Sequence, residues 1–244
     1  TATTEIYTLS LHDALPISDG SLVAMVHCNN CTSDLNAWIN LFKEYQELLG
    51  IPVDMNELYG KLYNHALAGD ADCGGLISYN YISGEPVTGL ADGRPLFVRS
   101  ANDKFNLANF MRTHLYASVG VLKIGNDILF NEEKIKVDRI TGHGGLFKTK
   151  GVGQRILAAA INSPISVMET AGEGGAWGIA LLGSYLVNNE KNQSLADFLE
   201  DKVFAGDAGI EISPTAEDVA GFNTYIENYK AGLPVEEAAT QFKK

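Results

Sequence analysis

Apolar positions beyond residue 20 alternate between short unbroken runs and longer stripes at helical spacing. The run "SLVAMVHC" (21–28) has the length and density of a buried strand. "TSDLNAWINLFKEYQELLG" follows, with Leu35, Trp38, Ile39, Phe42 and Leu49 on a helical stripe. Ser33 or Asp34 is placed to cap this helix, and Gly50 and Pro52 to end it. "DMNELYGKLYNHALAG" predicts a second helix, with Asp54 and Glu57 at capping-box spacing and Gly69 as the stop. Residues 70–100 are glycine-rich and predict a short strand, a loop through Gly84-Glu85-Pro86, a turn at Asp92-Gly93 and another short strand.

A long helix is expected over roughly 103–124, with Leu107, Phe110, Met111, Leu115 and Leu122 along one face. "KIKVDRITGHGG" predicts a strand ending in glycines, "KTKGVGQRILAAAIN" a helix, "PISVMETA" a strand and "GEGGAWGIALLGSYLVNN" another helix. Strand–helix–strand–helix over 136–188 is the order of an α/β unit with a parallel strand pair. The tail, 194–244, reads as mostly helical. Ser213 is expected as cap with Pro214 at the first helical position, and Phe222, Tyr225, Ile226 and Tyr229 form its stripe.

The opening "TATTEIYTLSLHDALPI" (1–17) behaves differently. It holds no Lys or Arg, and Ile6, Leu9, Leu11, Leu15 and Ile17 keep neither period. It lacks the basic start and continuous apolar run of a signal peptide. Read back into codons, residues 1–17 and the first base of Ser18 resemble a standard short-read sequencing adapter. Residues 1–18 are therefore expected to be a non-native extension, and 19–244 one domain truncated at its start. Leu9, Leu11 and Leu15 are expected to stay out of a packed core.

Composition narrows the function classes. Of the 244 residues, 45% are hydrophobic, enough to build a core. No apolar stretch approaches the ~18 residues that span a bilayer. The net charge of −12 argues against a nucleic-acid or anionic-membrane partner, since both need a positive field. A nucleotide phosphate is not excluded, because local N–H groups suffice to hold it. The three cysteines predict no disulfide framework and a reducing cytoplasm.

Candidate chemistry centres on "RITGHGGLFKTKGVGQRI" (139–156). A strand runs into Gly142-His143-Gly144-Gly145, then a turn, then a helix. Glycines let the main chain approach a ligand, the turn's amides can face phosphate oxygens, and Lys148 and Lys150 add local positive charge. The same residues also fit a tight strand-to-helix turn with two solvated lysines, and they match neither the Walker phosphate loop nor the dinucleotide glycine motif. The glycines of "ETAGEGGAWG" (Gly172, Gly174, Gly175) read as close packing of a helix on the sheet. "HCNNC" (27–31) offers three metal-ligand types without a second pair, so inert thiols are expected, with Asn29 and Asn30 as loop hydrogen-bonders. His65 and His114 read as packed or surface helix residues, and His143 alone has a ligand-side address. Glu85, Glu169 and Glu173 have no partner visible in the sequence.

Three blocks together resemble the C-terminal domain of the FGGY carbohydrate kinases, an actin-like ATPase family. "YISGEP" (81–86) resembles the family's Ser-Gly-Glu-Arg loop, with Pro86 in place of Arg. "ANFMRTHLYASVGVLK" (108–123) resembles its Arg-Ala-x-Leu-Glu helix, with Arg112 and Leu115 kept and Tyr116 replacing the acid. "ITGHGGLFKTKGVGQRILAAAINSPISVMETAGEGGAWGIALLGSYL" (140–186) is similar to its adenosine segment. The resemblance implies an α/β fold, a ribonuclease H-like (actin-like ATPase) domain with a helical C-terminal tail. It also implies ATP-dependent phosphorylation of a sugar, a pentulose such as xylulose, with ribulose or gluconate kinase and a non-catalytic nucleotide-binding module as alternatives. ATP or ADP would meet Gly144 and Gly145 at the α-phosphate, with Lys148, Thr149 and Ser100 as further nucleotide contacts. Mg2+ is implied as cofactor, without a metal site of this chain's own, and a homodimer as partner. The phosphate-gripping loop and the aspartate that takes the sugar proton match nothing here and are expected in a missing N-terminal domain that also binds the sugar.

Overall fold

The computed structural model of the chain describes residues 15–16, 22–23, 27–137, 140–168, 174–188, 193–205 and 209–242, with backbone alone for Leu15, Pro16, Leu22, Val23, Gly174 and Gly175. In chain order its elements are β1 (Leu15–Pro16), β2 (Leu22–Val23), α1 (Ser33–Leu48), α2 (Met55–Ala66), β3 (Ile77–Tyr79), β4 (Leu96–Val98) and α3 (Leu107–Asp127). These are followed by α4 (Val152–Ile161), β5 (Ile165–Val167), α5 (Gly174–Asn188), α6 (Leu195–Phe198), β6 (Ile210–Ile212) and α7 (Ala216–Thr240).

Helix α3 is the axis. Every residue from Ala108 to Val121 is buried, so the single apolar face expected from its stripe is instead a helix enclosed on all sides. α2 and α4 pack along it, β3 and α1 cover further faces, and α7 packs on α4 and β3. α7 approaches closely because Gly221 carries no side chain: a Cβ there would lie 2.3 Å from the main chain of Ala71. The expected stripe of α7 is buried as Phe222, Tyr225, Ile226 and Tyr229. The Tyr79 hydroxyl donates to the Tyr229 carbonyl at 2.9 Å, joining β3 to α7.

The sheets are short. β1 pairs antiparallel with β2, β3 with β4 and β5 with β6. The strand expected before the glycines contracts to one parallel bridge, Thr141 with Ser166, supported by Ser166 N–H to the Ile140 carbonyl and Gly142 N–H to the Ser166 carbonyl. Residues 134–137 are not strand, and 138–139 lie outside the described residues. β6 was not expected in a helical tail; it completes the β5 edge.

Several helix starts also differ from expectation. Thr32, not Ser33 or Asp34, precedes α1, and Asp34 is buried within its first turn. Burial pushes the Asp34 carboxyl above its ordinary value. Thr215, not Ser213, caps α7 by accepting the Asp218 amide, so Pro214 lies before the helix. Asp54 caps α2 as expected, and Asn106 caps α3. Leu9 and Leu11, with most of the opening stretch, lie outside the described residues.

A buried ionic junction fixes the helices to each other. Arg112 of α3 and Arg155 of α4 both reach Asp218 of α7, at 2.6 Å each. Arg112 also donates to the Tyr116 hydroxyl and the Gly69 carbonyl. Burial alone would push the Asp218 carboxyl up, but Arg155, Thr215 and Arg112 together hold it below the usual carboxylate range. Removing one partner of such a junction strands a buried charge. Asp218→Ala is expected to lower unfolding free energy by about 3–5 kcal/mol in urea titrations, and a change within about 1 kcal/mol would contradict this account.

Glu236 near the end of α7 is fully buried; among the described residues it accepts only the Arg94 amide, at 2.6 Å, and its second oxygen has no partner. Burial pushes its carboxyl from 4.5 up to about 7, with the Arg94 amide opposing. A folded-state value above the unfolded one gives stability that is complete below the unfolded value and lost as pH rises through the folded one. Glu236→Gln is therefore expected to flatten the decline in stability between roughly pH 4.5 and 7, read as melting temperature against pH; an unchanged profile would exclude this origin.

Candidate functional site

The glycine turn is built from both ends. The Thr141–Ser166 bridge holds its start, and α4 holds its finish. Gly142 lies under the Phe147 ring, where a Cβ would approach to 2.6 Å. Gly144 has φ of 107°, a conformation that side chains resist. One 3-10 turn, Gly145–Phe147, follows, closed by Phe147 N–H to the Gly144 carbonyl at 3.1 Å and Lys148 N–H to the Gly145 carbonyl at 3.2 Å. The amides of Gly144, Gly145 and Leu146 find no acceptor among the described residues. Gly145 is exposed, and a Cβ there would meet nothing within 4 Å.

This turn faces a cavity of about 410 Å3 lined by Gly145, Leu146, Lys148 and Thr149 on one side. Thr32 and Asn36 from the start of α1, and Asn56, Tyr59 and Tyr63 of α2, form the other. Tyr59 donates to Asn36 Oδ1 at 2.9 Å and meets Tyr63 edge to face at 5.7 Å. Burial raises both phenols above their ordinary value, so they remain hydroxyl donors at neutral pH. A second cavity of about 340 Å3 lies beyond Thr32, Gly145 and Leu146, which line both. Gly144, His143, Cys28 and Cys31 line this second space.

The structure thus brings Gly144, Gly145, Lys148 and Thr149 to one edge. It does not bring Ser100 there. Ser100 is exposed on the loop after β4, and both its amide and its hydroxyl bond Asp103, closing a local turn. Lys150 is exposed and lines neither space. Glu169, Gly172 and Glu173 lie outside the described residues, while a Cβ at Gly178 or Gly183 of α5 would meet nothing within 4 Å among the described residues.

Cys28, Cys31 and Cys73 are free thiols, and among the described residues no group of three or more His, Cys, Asp or Glu gathers. Burial pushes the Cys28 thiol up to about 12, so it is not a thiolate at neutral pH. His114 is buried among Trp38, Phe97 and Phe110, with Ser78 Oγ 3.0 Å from Nδ1, and burial drops it to about 3. It is a neutral core residue. Sequence reading missed the whole far wall of the first cavity, Thr32, Asn36, Asn56, Tyr59 and Tyr63, because those residues come from two earlier helices.

Comparison with known proteins agrees with this construction. Residues 10–187 match the model of the FGGY family of carbohydrate kinases, C-terminal domain. Xylulose kinase from Rhodospirillum rubrum superposes with a TM-score of 0.60 at 16% identity, covering 88% of this chain and 40% of that one. Gluconate kinase from Lactobacillus acidophilus gives 0.58 at 19% identity, covering 75% and 35%. Plasmodium falciparum glycerol kinase with ADP gives 0.53 at 16% identity, covering 84% and 38%. This chain therefore spans 35–40% of the length of these kinases. No curated protein gives a significant match. Helices stacked around α3, the parallel bridge behind the glycine turn and the family match over most of the chain lead to one assignment: this chain belongs to the FGGY family of carbohydrate kinases and carries its C-terminal domain, in the ribonuclease H-like fold of actin-like ATPases.

Proposed function

We propose that this chain is the nucleotide-binding part of an ATP-dependent sugar kinase that phosphorylates a pentulose such as xylulose. The observation that carries this is the run of amides at Gly144, Gly145 and Leu146, on the edge of a cavity, that find no acceptor among the described residues. Amides left without an acceptor are donors available to an anion. Gly144 and Gly145 are assigned to the α-phosphate, Lys148 to added positive charge, and Thr149 to a polar contact with the adenosine. Asn36, Asn56 and the Tyr59 hydroxyl supply polar groups across the cavity, and its size suits a nucleoside. ATP supplies the transferable γ-phosphoryl group. Mg2+ is assigned to the nucleotide phosphates and the remainder of the kinase.

Xylulose is favoured because several solved xylulose kinases share the fold, and gluconate stands second on equal similarity. Phosphoryl transfer needs a positioned base and charge stabilisation together. Both are assigned to parts of the kinase that this chain does not contain, so the reading makes it a binding half rather than a complete catalyst.

ADP titration by calorimetry is expected to show weak, saturable binding to the full chain. Gly145→Val, whose side chain projects into open cavity rather than into protein, is expected to abolish it without loss of fold; equal affinity would remove the phosphate assignment. ADP production from ATP with xylulose, ribulose or gluconate is expected to stay at the no-enzyme rate with this chain alone. Sugar-dependent turnover by the purified chain would overturn the binding-half reading.

A further inference from the structure

The segment 27–32 forms a shared wall of the two cavities: Thr32 lines both, and Cys28 and Cys31 line the second. It belongs to no helix or strand, and Asn29 and Cys31 are exposed, so little apolar burial holds it. Hydrogen bonds from the Ser-Gly-Glu loop do. Glu85 is 0% exposed, and its Oε2 accepts the amides of Asn29 at 2.9 Å and Asn30 at 3.2 Å, and Asn30 Nδ2 at 3.3 Å. Asn30 answers from the other side. Its Oδ1 accepts the amides of Ile82 at 2.8 Å and Ser83 at 3.1 Å, and its Nδ2 donates to the Ser83 carbonyl at 3.0 Å. Asn29 Nδ2 donates to the Gly84 carbonyl, and Asn80 Nδ2 to the Cys31 carbonyl, at 2.8 and 2.7 Å.

Glu85 is itself fixed. Its amide donates to the Leu90 carbonyl at 2.7 Å, and its carbonyl accepts the Leu90 amide at 3.1 Å. A carboxyl group buried with one oxygen lacking any partner among the described residues is costly. The service it gives is local: it holds successive amides of one cavity wall in a single arrangement. A wall already ordered spares the ligand the entropy of ordering it.

We propose that Glu85 is a positioning residue for the nucleotide cleft, holding 29–32 in place opposite the glycine turn. This rests on the nucleotide reading above. Glu85 touches no ligand; it acts through Asn29 and Asn30.

The test titrates ADP into the full chain, its Glu85→Ala and Glu85→Gln variants, and Gly145→Val. All titrations run well below each variant's melting transition, where a purely structural role would leave affinity unchanged. Hydrogen exchange is read at the Asn29 and Asn30 amides. Glu85→Ala is expected to weaken ADP at least tenfold and to accelerate exchange at both amides. Glu85→Gln, which keeps an acceptor oxygen, is expected to recover most of both losses. Wild-type ADP affinity in Glu85→Ala, with binding lost in Gly145→Val, overturns the positioning role and leaves the nucleotide reading standing. Wild-type affinity in Gly145→Val instead overturns that reading and this proposal with it. Should Glu85→Ala fail to fold, Asn30→Ala decides: it cuts the ties to Ile82 and Ser83, and unchanged ADP affinity there refutes the proposal.

Discussion

One buried carboxylate organises the helices. Asp218 receives Arg112 from α3 and Arg155 from α4, while its own amide and carboxylate share the Thr215 hydroxyl that begins α7. Apolar packing tolerates small slides between helices, whereas short directional bonds to a fixed acceptor do not. α4 is thereby held at its first turn, and Gln154 adds bonds from the same turn to the Ile165 and Ile210 carbonyls of β5 and β6. The glycine turn immediately precedes that anchored turn. Its position follows from polar ties around α4 more than from any packing of its own residues.

Periodicity is a local property, and the elements that rest on it were legible. The helices α1, α2, α4 and α7 form where their patterns place them, and the α7 stripe is buried as spaced; of the α1 stripe Leu35 and Ile39 are buried, while Leu49 falls past the helix end and is exposed. The glycines at 142–145 announce a tight turn before a helix. What failed was set by partners distant in sequence. "KIKVDRIT" alternates well enough for a strand, but among its described residues only Thr141 finds a strand partner, at Ser166. "IEI" before Pro214 is too short to stand out, and β5 makes it a strand. Ser213 and Thr215 are both cap-forming residues, and Thr215 takes the role, its hydroxyl accepting the Asp218 amide and donating to the Asp218 carboxylate.

The site divides along the same line. Gly144, Gly145, Lys148 and Thr149 lie close together in sequence; the motif itself named the glycines and Lys148, the family resemblance added Thr149, and the fold does keep them at one edge. Ser100 was reached by resemblance alone, and its own turn with Asp103 keeps it occupied elsewhere. The far wall needed α1 and α2 folded back across the turn, which no local pattern reports. "HCNNC" shows the limit well. Its asparagines were readable as loop hydrogen-bonders, but their partner, Glu85, is a lone acid in a distant loop until the chain folds.

The buried carboxyl groups differ in how fully they are served, and the difference separates architecture from site. Asp218 has partners on both oxygens and sits below its ordinary value, as a structural junction should. Glu236 and Glu85 each keep one oxygen without a partner among the described residues. They grip the two ends of the same segment: Glu236 takes the Arg94 amide from α7, and Glu85 takes the amides of Asn29 and Asn30 from the cavity wall. Arg94 adds a second tie, donating to the Phe242 carbonyl at the end of the chain. Residues 85–94 therefore link the C-terminal helix to the wall of the cleft by polar bonds at both ends, with Val87 and Leu90 packed against the core between them. Apolar side chains at 85 and 236 would cost less to bury, but they would hold neither end. Each acid thus fixes main-chain amides through one oxygen while the other has no partner among the described residues.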